Sequence, residues 1–287
     1  LGKSGYEPFM KKLGVEAVPF TEKLGQEYAS DRLYRRIDLA KEVFEFDAVV
    51  SLPKLKTHGQ MLLTLTVKNL FGTVIGSDKA AWHLAGREVE NFATALVQIY
   101  ERVRPVVSIL DGILAMEGNG PSSGTPRHLG IIAASKDAVA LDATICRMVG
   151  YSVDKLFTCV IGERLGAGIA DSKHIRVLGD TIAGMPLTDF KRPKNMSVAW
   201  NLGKGNLLRR FAEHYLVTRP DIDPSVCQLC GVCLNHCPPQ AISEAKGTLQ
   251  IDRDKCILCF CCHELCTNKA IRMVKPALGR MLSSFTR

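Results

Sequence analysis

Aromatic residues are scarce in this chain, at 7% with two tryptophans, and long apolar runs are missing. No stretch approaches the roughly 18 apolar residues that a membrane-crossing helix needs. The longest, Met61–Val67, is broken by Thr64 and Thr66, so no membrane span is expected. Nor is there a dense Lys/Arg stripe with interleaved aromatics, which argues against a nucleic-acid surface. Cysteine is almost absent before position 227, where only Cys146 and Cys159 occur, so a disulfide scaffold is excluded there. Nucleotide fingerprints are missing too. The glycine-rich segment Gly118–Gly124 lacks the Gly-Lys-Ser/Thr ending of a phosphate loop, and Pro126 stands where a dinucleotide fold opens a helix. That segment reads equally as a lid or a phosphate cradle, and no flavin or nicotinamide motif is found. Leu1 is not a start methionine, so the opening of the first domain is expected to be missing, and a signal peptide goes untested.

What is present is concentrated near the C-terminus. Nine of the 11 cysteines lie between Cys227 and Cys266. They form Cys227-x2-Cys230-x2-Cys233-x3-Cys237-Pro238 and, 29 residues on, Cys256-x2-Cys259-x2-Cys262-x3-Cys266. Each run supplies four thiolates at the spacing that wraps a loop around an iron–sulfur cube, and the fourth cysteine of a run serves the other cluster. Zinc ribbons use paired C-x2-C knuckles instead. The expected sets are Cys227, Cys230, Cys233 and Cys266 for one [4Fe-4S] cluster, and Cys256, Cys259, Cys262 and Cys237 for the second. Cys261 falls outside the pattern and is read as a small buried filler. The runs differ at Pro238 against Thr267 and at Gly231 against Phe260, which predicts two clusters of unequal potential. Free thiolates at this spacing fit a reducing, anoxic cytoplasm. The formal net charge of +8 falls to roughly +4 once two clusters of about −2 are bound.

A length of 287 residues and 46% apolar content suit one sizeable core plus a small appended domain. Compact apolar runs at Phe46–Leu52, Val106–Leu110, Leu129–Ala134 and His174–Leu178 alternate with helical patterns at Val89–Val103 and Ala138–Val149. This predicts a layered α/β domain with a mainly parallel sheet over 1–200, truncated at its N-terminus. A linker with a short helix follows over 201–220. The repeat then forms a small α+β ferredoxin-like domain with two clusters over 221–275, before a C-terminal tail at 276–287.

Polar residues gather after the predicted strands, where open α/β sheets bind ligands. Lys54, Lys56 and His58 follow the first, Asp111, Glu117, Gly118 and Gly120 the second, and Lys68, Asn69, Lys79 and His83 lie close behind. The mix suits a small anionic ligand. Lys54, Lys56, Lys68 and Lys79 are the expected anion binders, with Asn69, Asp111, Gly118 and Gly120 alongside. His58, His83 and Glu117 are the proton carriers. Charged residues at strand ends are also commonly plain solvated loops.

Residues 221–275 resemble a bacterial-type ferredoxin domain, with Thr267 a departure. Ser51-Leu-Pro-Lys-Leu-Lys-Thr-His58, Val67-Lys-Asn-Leu-Phe-Gly72, the Asp111–Pro121 segment and Asp137-Ala-Val-Ala-Leu-Asp142 resemble the iron–sulfur proteins grouped as domain of unknown function 362. That resemblance implies an α/β domain coupled to a ferredoxin module, and no set substrate. The series His58, Lys68, Lys79, His83 is also similar to the nickel-pincer lactate racemase group, whose His and Lys residues hold a cofactor. Three readings follow. Two clusters exchange electrons with a substrate site on the α/β domain, as an oxidoreductase does. Alternatively, the chain is an electron carrier whose large domain docks a redox partner protein, or it is a racemase-like enzyme.

Overall fold

A computed structural model describes residues 5–76, 78–79, 82, 89–121, 124–180, 187, 189–193, 215, 218–245 and 247–276. Helix α1 (Glu7–Leu13) buries no side chain. The hairpin of β1 (Lys23–Glu27) and β2 (Arg36–Ala40) is joined to the core through Ile37, Leu39 and Ala40 of its second strand.

The central sheet begins with β3 (Val50–Ser51), β4 (Lys54–His58) and β5 (Leu62–Thr64), followed by the single turn α2 (Thr66–Asn69). Helix α3 (Val89–Val103) has apolar residues at helical spacing and stops before Pro105, as its pattern predicts. Phe92, Leu96 and Ile99 on its inner face are wholly buried, each contributing about 1.5–3 kcal/mol. Next come β6 (Val107–Glu117), β7 (Thr125–Ser135), α4 (Ala138–Met148) and α5 (Phe157–Arg164). The Asp137 carboxylate caps α4 by accepting from Ala140 N at 2.9 Å. Helix α3 packs on α5, and α4 packs on α5 and β7.

Strand β6 organises the sheet. β3 and then β4 run parallel along one edge of it, through Val50↔Val107 and Lys54↔Asp111. β7 runs antiparallel along the other edge, from Ser108↔Ser135 to Glu117↔Thr125, and β5 is antiparallel to β4. The mainly parallel sheet expected from the sequence is therefore corrected to a mixed one. The loop joining Glu117 to Thr125 is too short for a parallel crossover, which needs about a dozen residues or more. The strand expected at His174–Leu178 is also corrected. A 3₁₀ turn at Ser172–His174 leads into irregular chain with Val177 and Leu178 exposed, so those apolar residues have no core to face.

The C-terminal unit keeps the sequence repeat in its backbone. It consists of β8 (Arg219–Ile222), α6 (Val232–Asn235), β9 (Ile242–Ala245), β10 (Thr248–Ile251), α7 (Cys261–Leu265) and β11 (Ile271–Val274). β8 pairs antiparallel with β11, and β9 with β10. Left-handed residues recur at equivalent places: Leu229 and Leu258, Gly231 and Phe260, Gln240 and Lys269. So do hydrogen bonds, with Cys227 N donating to Asp223 O and Cys256 N to Asp252 O, both at 3.0 Å. The core here is Cys233, Ile242, Leu249 and Ile271, flanked by other cysteines. So small an apolar core calls for a staple such as a metal. The linker helix expected within 201–220 and the tail after residue 276 lie outside the described residues.

Candidate functional site

Alternation along β4 turns Leu55 and Thr57 inward and leaves Lys54 and Lys56 on the other face. The register of β5 sets Thr64 directly opposite Lys56. Four residues later, the α2 turn carries Lys68 and Asn69. That turn is held by the buried Asp142 carboxylate of α4, which accepts from Thr66 N at 2.8 Å and Val67 N at 3.0 Å. Burial pushes the Asp142 carboxyl up to about 7 despite those two donors.

Helix α7 of the C-terminal unit faces these residues, and between them lies a cavity of about 350 Å³. Lys54, Lys56, Lys68 and Lys79 line one side of it, and Cys261, Glu264 and Leu265 the other. Leu52 and Phe71 supply apolar wall. Burial pushes the Lys68 amine down; Glu264 opposes this and Lys56 adds to it. Burial lowers Lys79 likewise. Lys54 is held at the rim by Asp111, with Nζ to Oδ2 at 2.6 Å.

His58 lies just behind this wall and is buried. Its Nδ1 accepts from Gln60 N at 3.1 Å and Met61 N at 3.2 Å, so the hydrogen sits on Nε2, which faces Glu264 Oε1 at 3.2 Å. Burial, then the nearby Lys68 charge, push the imidazole down to about 4, so it is neutral at pH 7. His58 thus sets β4 beside α7, although its Nε2 makes no well-formed hydrogen bond there.

The sequence candidates separate here. Lys54, Lys56, Lys68, Asn69 and Lys79 line the cavity, whereas Asp111 reaches it only through Lys54. Glu117, Gly118 and Gly120 do not line it. Glu117 is buried and takes Arg127 Nη1 at 2.8 Å and Lys191 N at 3.1 Å. Burial pushes its carboxyl up, but these bonds prevail and hold it below the usual range. Gly118 N donates to Lys191 O at 2.7 Å. Gly120 packs so closely on β4 that a Cβ there would collide with the Thr57 carbonyl. His83 lies outside the described residues. Thr64, Cys261 and Glu264 line the cavity although the sequence did not single them out as ligand binders. The threonine sits in an apolar run, and the other two sit among cysteines.

The cysteines of the two runs lie near one another. The Cys233 thiol is pushed up by burial first, with Cys227, Cys266 and Cys230 adding to it. Cys256 is raised by burial and then by Cys259 and Cys237. A small void is lined by Cys237, Cys256, Cys259 and Cys262, with Phe260 and Pro238 beside them. Ala241 N donates to Cys237 Sγ and Ala270 N to Cys266 Sγ, each at 3.2 Å. Four soft thiol donors per group, with backbone N–H donors to sulfur, fit a cubane in type and number. Cys261 is buried, and the neighbouring Cys259 together with that burial pushes its thiol far above the ordinary range.

Residues 1–147 match the family described as "Domain of unknown function (DUF362)", and residues 220–243 match a 4Fe-4S binding domain. The thylakoid-associated protein sll1697 of Synechocystis sp. is 42% identical over 165 residues, which is 57% of this chain and 50% of that protein. The chain thus spans half the length of that relative. Pyruvate synthase subunit PorD of Methanocaldococcus jannaschii is 33% identical over 72 residues, 25% of this chain and 84% of that subunit. Among the described residues, no helix is long and apolar enough to cross a membrane.

Proposed function

The chain belongs to the DUF362 family and carries a 4Fe-4S binding domain, and from that premise we propose an iron–sulfur protein whose two clusters exchange electrons with an anionic small molecule held in the lysine-lined cavity. The observation that carries this reading is the cavity itself, with lysines of β4 and α2 on one side and the cysteine-bearing α7 on the other. In this reading the chain divides into an α/β part over 1–200, a linker over 201–220, a two-cluster domain over 221–275 and a tail over 276–287. When bound, [4Fe-4S] clusters supply one-electron exchange.

The chain's own residues do the rest. Cys227, Cys230, Cys233 and Cys266 hold one cluster, and Cys237, Cys256, Cys259 and Cys262 the other. Lys56 and Lys68 hold the ligand's charge, with Lys54 and Lys79 nearer the rim. Leu52, Phe71 and Leu265 exclude water, which strengthens the attraction between the ammonium groups and the ligand. Cys261, between Cys259 and Cys262, is where the cavity wall comes next to cluster ligands. His58 lies beside Glu264 where α7 meets β4. A reducing compartment keeps all eight ligand thiols available. The similarity to PorD, named as a subunit of pyruvate synthase, supports the electron-transfer reading.

The test uses full-length protein prepared without oxygen. Native mass spectrometry is expected to report eight iron and eight sulfide per chain, about 4 of each per cluster. Dithionite-reduced protein is then mixed with pools of small anions, and cluster reoxidation is followed by absorbance. Reoxidation by an anion, lost in Lys56→Met/Lys68→Met, supports the proposal. Reoxidation by protein acceptors alone replaces it with the electron-carrier reading.

A further inference from the structure

The floor of the cavity holds a group that the lysines do not explain. Thr64 is 8% exposed and lines the cavity, and its Oγ1 has no hydrogen-bond partner among the described residues. A buried hydroxyl left without a partner costs about 1–3 kcal/mol, so such groups are ordinarily met by a ligand or a water. Thr64 is also placed among cations. Lys56 stands directly opposite it across the β4–β5 pair, and Lys68 follows four residues on.

Charge balance narrows what fits there. Lys54 is engaged by Asp111. Among the described residues, Lys56, Lys68 and Lys79 form no ion pair, and Glu264 is the carboxylate in the wall. Three such side chains against one wall carboxylate leave a positive excess on the β4–α2 side, and the Thr64 hydroxyl adds a further donor there. A phosphate group, at about −1.5 to −2 near pH 7 and with three acceptor oxygens, meets more of these donors at once than a monocarboxylate does. The volume of about 350 Å³ is at the small end of small-molecule pockets, which run about 300–1,000 Å³. The apolar wall of Leu52, Phe71 and Leu265 leaves room for a short uncharged remainder.

We propose that the cavity binds its ligand by a dianionic phosphate-type head seated on Lys56, Thr64 and Lys68. This subsite rests on the cavity reading above and adds to it the class of ligand.

The test is calorimetric titration of anaerobically prepared full-length protein with inorganic phosphate, at ionic strength held constant with sodium chloride. Phosphate is expected to bind saturably and at least about tenfold more tightly than acetate, a difference of about 1.4 kcal/mol. Lys68→Met is expected to weaken phosphate binding by about tenfold or more, and the near-isosteric Thr64→Val by about fivefold. Lys173→Met, at a turn away from the cavity, controls for loss of one positive charge and is expected to match wild type. Because Thr64→Val removes an unmet hydroxyl, its melting temperature without phosphate is expected to equal or exceed that of wild type, which separates lost binding from lost folding. Acetate binding as tightly as phosphate, or Thr64→Val binding as wild type does, overturns the subsite. Phosphate binding that obeys these variants, with no anion able to reoxidise the clusters, keeps the subsite and removes the redox reading. Anion-driven reoxidation without phosphate binding does the reverse.

Discussion

Two places along the central sheet carry the same kinds of residue and have opposite fates. At the end of β6, Glu117 is buried beside Arg127 and the Lys191 backbone, and the charges cancel within the protein. Arg127 also reaches Asp189 at 2.7 Å, so the Glu117 loop is tied to the 189–191 segment on both sides. Around β4, β5 and α2, the buried carboxylate is Asp142, and it faces backbone N–H groups of α2, with no ion pair to a cation among the described residues. The cations of that region point instead into the cavity. One strand end spends its charge on its own architecture, while the other holds it ready for something outside the chain. Residue type alone does not distinguish the two; what distinguishes them is whether a counter-charge lies within reach.

The pH behaviour of the two carboxylates is the sharpest way to break this comparison. Asp142 has its folded pKa raised to about 7 from an ordinary carboxylate value, so its contribution to stability is full below about pH 4 and is lost as pH rises through about 7. Between pH 5 and 8 the loss is at most about 3 kcal/mol. Asp142→Asn, which stays neutral, is expected to flatten that decline in melting curves; an unchanged slope refutes the assignment. Glu117 has the opposite sign. Its folded pKa is lowered, so its contribution is present above the ordinary carboxylate range and disappears in acid. Glu117→Ala strands Arg127 and the Lys191 N–H, and about 2 kcal/mol of stability is expected to go at pH 7, read by urea unfolding. A loss below about 0.5 kcal/mol shows that this end is not closed in the way described. The smallest effect belongs to the rim. Lys54 and Asp111 are about half exposed, at 47% and 48%, and Lys54→Ala is expected to change stability by about 0–1 kcal/mol. A larger change in the same unfolding assay means that Lys54 supports the cavity rather than bordering it.

Much of this was readable in the residues, and the reasons differ by region. The cysteine runs disclose 4Fe-4S binding because ligand spacing is a local property of a short loop. Helix α3 was legible to its last residue because its apolar period and Pro105 act on neighbouring turns. Lys54, Lys56, Lys68, Asn69 and Lys79 were found together because β4, β5 and α2 follow one another closely in the chain. Glu117 was grouped with them wrongly as a cavity residue, since its partners Arg127 and Lys191 are distant in sequence and nothing local announces them. Thr64 and Glu264 were missed for the same reason in reverse. Each gains its place only when α7 is laid against β4, a packing event between segments about 200 residues apart. The mixed sheet was within reach, because the short glycine-rich loop after Glu117 leaves room for nothing but an antiparallel return.

The wall made by α7 has a consequence, on the proposed reading, for how the protein would mature. A five-residue helical turn does not hold its shape alone, and this one sits between Cys259 and Cys266, with Cys262 inside it. A newly made chain without its iron and sulfide would carry the lysine half of the cavity and lack an ordered second half. Ligand capture would then be a late event, gated by completion of the inorganic part, and the cavity an inspection point that only a finished molecule passes.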